Sequence, residues 1–252
     1  MPEGFLEFVL IGFLAQLVDG ALGMAYGVTA TSVLLSIGVP PATASACVHT
    51  AEMFTTGASG AAHWRLKNID WNLFGRLALP GMVGGALGAY VLTNLDGDVV
   101  KPFISAYLLL LGGLILWKAF NGRRPGASQP RHVVPLGLVG GFADAIGGGG
   151  WGPIVTSNLL GQGTAPRMAI GTVSLTEFFV TSVISAVFVV TIGISHWWII
   201  AGLVIGGVAA APIAAYAVRW LPARVIMVVV AVVVIALSLR VLVPALGGPT
   251  IF

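Results

Sequence analysis

Charge is what this chain lacks. Only 8% of its 252 residues are Asp, Glu, Lys or Arg, whereas a soluble domain carries about 25%, so a water-facing surface cannot be assembled from it. With 57% of residues hydrophobic, the composition is that of a polytopic membrane protein whose first partner is the lipid bilayer. Cysteine is almost absent. The single Cys47 excludes an intrachain disulfide and a cysteine metal cluster, and in its apolar stretch it reads as a small buried hydrophobe. No Gly-x-x-x-x-Gly-Lys-Ser/Thr loop occurs, so the chain does not itself hydrolyse ATP, and no cofactor or metal is expected. No basic region precedes the first apolar stretch, Phe5 to Val18, which therefore reads as retained structure and not as a signal peptide. A net charge of +3 would suggest nucleic acid in a soluble protein. Here the basic residues gather in short segments between apolar stretches, where they act as topology signals, and no nucleic-acid partner is expected.

Glycine, in contrast, is abundant, and it is arranged in a repeat. Asp19-Gly-Ala-Leu-Gly-Met-Ala-Tyr-Gly27 returns as Asp144-Ala-Ile-Gly-Gly-Gly-Gly-Trp-Gly152, and the apolar stretch after each copy carries one acid, Glu52 and then Glu177. Both acid pairs are 125 residues apart, and the same shift pairs Gly23 with Gly148, Thr31-Ser32 with Thr156-Ser157, and Pro41 with Pro166. A duplicated, glycine-broken apolar half is a transporter signature. The expected organisation is a first transmembrane repeat over 1–120, a basic cytoplasmic linker over 121–131 and a second repeat over 132–252.

A helix needs about 20 residues to cross roughly 30 Å of hydrocarbon. Segments 43–62, 71–93, 99–119, 166–192, 197–218 and 225–245 qualify. Segments 5–18 and 27–38, and their copies 132–146 and 152–162, are shorter and separated by the glycine runs, which makes each pair a broken helix or a re-entrant hairpin. The loops alternate in charge. The loop from His63 to Asp70 is basic, that from Asn94 to Asp98 acidic and the linker basic again, ordering them inside, outside, inside. In the second half, Gly193 to His196 lacks Lys and Arg, while Arg219 to Arg224 is basic. The pattern inverts between copies, so the expected fold is an all-α polytopic membrane protein of two inverted-topology repeats with glycine-broken or re-entrant helices. Both termini are expected on the extracytoplasmic side of a cell inner (plasma) membrane.

The candidate chemistry lies around the breaks. Ser45, His49, Glu52, Thr56, Ser59 and His63 recur at spacings of four and three, which puts them on one helix face, and Ser174, Glu177, Thr181 and Ser185 form a shorter stripe in the second copy. Ionisable groups within the membrane are costly and mark functional sites by default, although Glu52 and Glu177 are also readable as acids that lock helices together. His49, with Ser174 in its place in the second copy, suits either packing or proton transfer. A helix that begins inside the membrane presents free amides and a partial positive charge suited to an oxyanion. The donors named by this logic are the backbone and hydroxyls around Gly27, Thr29, Thr31 and Ser32, and around Gly152, Thr156, Ser157 and Asn158, with close packing of small residues as the alternative role. Asp19 and Asp144 are placed to cap the amides or to hold a cation, and Tyr26 and Trp151 to wall a pocket. Arg76 and Arg240 are either counter-charges or snorkelling side chains.

The repeated Asp-x-x-x-Gly-x-x-x-Gly pattern (Asp19, Gly23, Gly27; Asp144, Gly148, Gly152), with a glutamate-bearing helix after each copy, resembles the TauE/SafE family of sulfite exporters over nearly the whole chain. The resemblance implies a permease, not an enzyme, for sulfite, sulfoacetate or a related organosulfur or organic oxyanion. The resulting expectation is a secondary transporter that works by alternating access, with protons as a candidate coupling ion and a homo-oligomer compatible with the sequence. A second resemblance, of Gly57-Ala-Ser-Gly60 to the Gly-x-Ser-Gly nucleophile motif of rhomboid proteases, would make Ser59 the nucleophile of an intramembrane serine hydrolase and requires a histidine base. A passive anion channel is the remaining alternative. Because Leu22-Gly23-Met24-Ala25 stands where the second copy has four glycines, the first break is expected to be the stiffer.

Overall fold

The computed structural model describes residues 4–22, 24–121, 130–193, 196–217 and 223–249. Gly23, residues 122–129 of the linker, and the loop residues 194–195 and 218–222 used to read loop charge lie outside the described residues. All regular structure among the described residues is helical. In the first half, α1 (Phe5–Leu22), α2 (Tyr26–Ser36), α3 (Pro41–Arg65), α4 (Trp71–Thr93) and α5 (Gly97–Asn121) follow one another. In the second half come α6 (Val133–Gly147), a π-turn (Gly152–Thr156) that runs into the short α7 (Ser157–Gly161), then α8 (Pro166–Ile192), α9 (Trp197–Ala217) and α10 (Ala223–Ala245).

Local chemistry explains several of these boundaries. Pro41 and Pro166 occupy matched first-turn positions of α3 and α8, where proline's fixed φ suits the helix and its missing amide costs nothing. The Asp70 carboxylate caps α4 by accepting from the amides of Asn72 (3.0 Å) and Leu73 (3.1 Å). Replacing Asp70 by alanine is expected to lower stability by about 1 kcal/mol, read as a small fall in the melting temperature of the purified protein.

Among the described residues, three helices are both long and apolar enough to span a membrane by composition alone: Gly97–Asn121, Pro166–Ile192 and Met227–Ala245. Six spans of that kind were expected. The helices α3, α4 and α9 are as long as anticipated, but α3 carries the polar stripe and α4 five glycines, and both features dilute hydropathy. The side chains turned away from the protein remain apolar, as with Leu110 (73% exposed) and Val190 (85% exposed). Exposed Trp64, Trp71 and Trp117 lie near one set of helix ends and Tyr90, Trp197 and Trp198 near the other, the distribution of an interfacial aromatic belt.

The packing exchanges partners between halves. The pair α1 with α9 is matched by α6 with α4, while α3 packs on its own counterpart α8, and α5 on α10. Glycines make the close approaches: a Cβ on Gly206 would collide with the Val9 backbone, and one on Gly84 with that of Leu138. Gly57 faces Phe178 whereas Gly60 faces Leu175, so numbering rises along α3 as it falls along α8, and these helices run antiparallel. The same holds for α5 and α10, where Gly112 meets Ile235 and Phe120 lies under the Arg224 guanidinium. This arrangement brings the two glycine breaks together beside the α3–α8 crossing.

Candidate functional site

At the centre, backbone meets backbone. A Cβ on Gly27 would lie 2.7 Å from the Gly149 Cα and 3.0 Å from Glu52 Oε1, so only glycine lets the start of α2 touch the second break. Both aspartates cap in the same way across their breaks. The Tyr26 amide donates to Asp19 Oδ1 (3.3 Å), and the Trp151 amide donates to Asp144 Oδ1 (2.9 Å), each reaching seven residues back. The next amide of α2, on Gly27, faces the Glu52 carboxylate. The helix starts thus already hold carboxylates of the chain itself.

Glu52 is 3% exposed and its Oε2 has no hydrogen-bond partner, whereas Glu177 is only half-buried. Asp19, Glu52, Asp144 and Glu177 are close enough to feel one another's charge. His49, wholly buried, places Nε2 3.2 Å from Asp144 Oδ2 and Nδ1 2.8 Å from the Ser45 carbonyl oxygen. Ser174, which stands at the corresponding place in α8, is buried as well. No group of three His, Cys, Asp or Glu side chains with the geometry to hold a metal occurs among the described residues.

The hydroxyls divide into occupied and free. Thr31 donates to the Gly148 carbonyl, and the Ser157 hydroxyl reaches Met24 Sδ at 3.8 Å. The hydroxyls of Thr29, Ser32 and Thr156 and the indole N–H of Trp151 are buried without partners. Tyr26 and Trp151, 2% and 0% exposed, close off the site, and the Tyr26 hydroxyl donates to the Leu203 carbonyl (3.3 Å). Gly152 is buried at the start of the π-turn. Other candidates lie elsewhere. Asn158 is exposed and accepts from Gln162, Arg76 is exposed, and Arg240 is exposed beside a separate cavity it shares with Asp98 and Lys101.

The polar stripe of α3 turns inward from Ser45 to Thr56 and leaves the core at half-buried Ser59 and His63. His63 directs Nδ1 to the Asn68 side chain (3.2 Å) and forms no dyad with Ser59, so the hydrolase reading gains no support. Sequence reasoning missed two residues that bond the second break. Tyr107 of α5 donates to the Gly149 carbonyl (3.2 Å), and Lys118 donates to the Pro153 carbonyl (3.1 Å). Their signal was available, since each is a lone polar group in an otherwise apolar stretch of α5.

Residues 144 to 153 accept bonds from Thr31, Ser45, Tyr107 and Lys118 and are paired with His49, so the glycine-rich break is held by neighbouring helices. Composition alone describes the freedom of an isolated chain, whereas here neighbouring helices remove it.

Residues 8–241 match the family described as Sulfite exporter TauE/SafE. A similar protein is the probable membrane transporter protein YtnM of Bacillus subtilis (strain 168), 47% identical over 222 residues, which are 84% of this chain and 74% of that protein. With its apolar helices and paired glycine breaks, the chain belongs to the TauE/SafE sulfite exporter family and is a multi-pass membrane transporter.

Proposed function

We propose that the protein is a secondary transporter of small oxyanions, with sulfite, sulfoacetate and related organosulfur or organic anions as the substrate class, working by alternating access. The observation that carries this reading is the meeting of two interrupted helices at Gly27 and Gly149, where unpartnered Ser32 and Thr156 hydroxyls and the Trp151 N–H accompany helix N-termini. Such unpartnered donors suit an anion, while the helix-start amides are already held by Asp19, Asp144 and Glu52. Asp144, Tyr26 and Trp151 are buried, so passage of a solute requires the halves to move, which favours a carrier over an open pore. The substrate set comprises the two breaks with Tyr26, Thr31, Ser32, His49 and Glu52 from the first repeat, and Trp151, Thr156, Ser157, Ser174 and Glu177 from the second.

The repeats 1–120 and 132–252, joined by the 121–131 linker, are read as inverted. If equivalent helices run antiparallel, as α3 with α8 and α5 with α10 do, the two-fold axis relating them lies across the helices. For helices that span a bilayer, that axis lies in the membrane plane. Both termini then face outward from the inner membrane, and cysteines placed at Lys67 and Asp96 should react with impermeant thiol reagents from opposite sides.

An anion beside an ionised carboxylate is repelled by about 4 kcal/mol at 4 Å with an effective dielectric of about 20. Proton binding at Glu52 or Glu177 would lift that penalty, which makes protons the coupling ion of choice. Thermal melting of the purified protein with sulfite, sulfoacetate, thiosulfate, sulfate and simple carboxylates tests the substrate class. A selective oxyanion at about 100 times its Kd should add about 2.7 kcal/mol of apparent stability. No shift with any of them would rule the class out.

A further inference from the structure

We propose that Lys101 and Arg240 form a second anion site, in a cavity between the ends of α2, α5 and α10, that takes the phosphate of an anionic phospholipid head group. The site is separate from the glycine breaks and does not depend on the transport reading.

Because α5 and α10 pack antiparallel, the start of one helix lies beside the end of the other, and α2 ends against both at Ser36. Between them is a cavity of about 290 Å³ whose lining includes Ser36, Asp98, Lys101, Pro102, Arg240 and Pro244. Depth points to a lipid. The 25 residues of α5 make a helix about 37 Å long, which exceeds roughly 30 Å of hydrocarbon by about 4 Å at each end. Lys101 lies about 6 Å inside the start of α5 and Arg240 about 7.5 Å inside the end of α10. Both Cα positions are therefore close to the boundary of the hydrocarbon, and their long side chains reach the phosphate layer.

Charge points to an anion of one unit. The lining holds two cations and one carboxylate, which leaves a net charge of +1. Cations from two helices that share one cavity repel each other unless an anion lies between them, and Asp98 offsets only one. The other acid of this loop, Asp96, accepts from the Asp98 amide (2.9 Å), and the Ser36 hydroxyl donates to the Val33 carbonyl (2.7 Å). Recognition therefore falls to the Arg240 guanidinium, whose planar fork matches two phosphate oxygens, and to the Lys101 ammonium. A phosphodiester brings the site to neutrality. In phosphatidylcholine the same phosphate carries a trimethylammonium group, which adds a third cation beside the first two. Basic pockets between membrane helices hold lipid head groups by this chemistry.

Native mass spectrometry of the full-length protein in neutral detergent, titrated in turn with phosphatidylglycerol, phosphatidylcholine and inorganic phosphate, tests the site. One phosphatidylglycerol should bind in preference to the other two. Lys101→Gln and Arg240→Gln should each weaken it about fivefold, and together roughly 25-fold if they act independently. Asp98→Asn, which removes the opposing charge, should strengthen it. Arg76→Gln, at an exposed cation of α4 outside the cavity, should leave it unchanged, as non-specific attraction to anionic lipid would not. If the double variant does not fold, Arg240→Gln, at an exposed side chain, decides alone. Equal binding of the two lipids, or wild-type affinity for phosphatidylglycerol in the Gln variants, would overturn the site. Inorganic phosphate bound as tightly as phosphatidylglycerol would overturn the lipid assignment in favour of a soluble oxyanion. None of these measurements reads flux, so a failure of the transport reading leaves the site standing.

Discussion

Replacing Gly149 with alanine is expected to abolish transport and to destabilise the protein by about 2 to 5 kcal/mol, the sum of strain at a disfavoured φ and overpacking against backbone. Gly149 has φ 152°, and a Cβ there would fall on the Gly27 carbonyl carbon and the Val28 amide nitrogen. Backbone atoms cannot move aside as a side-chain tip can, so the contact between the two breaks must open. Gly75→Ala provides the control, because nothing lies within 4 Å of a Cβ at that position of α4 and alanine gains about 1 kcal/mol in a helix. Thermal melting and proteoliposome flux would check both. A Gly149→Ala protein that melts and transports like the wild type would show that the two breaks do not need to touch.

Glu52→Gln is expected to remove the pH dependence of flux while leaving the protein folded. The carboxyl group is buried, its Oε2 has no partner, and it sits among the charges of Asp19, Asp144 and Glu177. If a proton must bind there before an anion can approach, flux in the wild type rises as pH falls on the loading side, by up to about tenfold per pH unit when one proton is limiting. Glutamine is neutral at every pH, so the rise should disappear and an acid-like flux should persist at neutral pH. Glu177→Gln should flatten the profile less, because that side chain is half-buried and more open to solvent screening. A double Gln variant with an unchanged pH profile would exclude these acids as the coupling groups.

Much of the helix framework was legible. The segments read as 71–93 and 166–192 reappear as Trp71–Thr93 and Pro166–Ile192, because an aspartate cap, an N-terminal proline and a run of apolar residues are local signals. Segment 5–18 proved to extend to Leu22, past the acid and the glycine that were taken to end it. The polar stripe was legible as a helix face, but its extent was not. Spacing says that Ser59 and His63 share the face of Glu52, and only packing decides that they are half-buried, with His63 beside Gly171 of α8. The capping of Tyr26 by Asp19 and of Trp151 by Asp144 was readable in outline, since both partners lie within one nine-residue motif. Tyr107 and Lys118 stood out as polar groups in an apolar stretch, but their partners did not, because both bond to carbonyl oxygens, which every residue carries and which leave no mark in the sequence.

By itself the sequence determined that this is a helical membrane protein, that its halves share one plan, and where glycine interrupts each half. Those properties follow from composition and spacing, which act through local backbone freedom and the cost of charge in hydrocarbon. The tertiary structure alone decided that Gly27 and Gly149 touch, that Glu52 is buried more deeply than Glu177, and that α3 and α5 bond to the four-glycine break. Each of these depends on which groups packing brings within 3 to 4 Å of one another, and residues as far apart as His49 and Asp144 become neighbours only when α3 meets the second repeat.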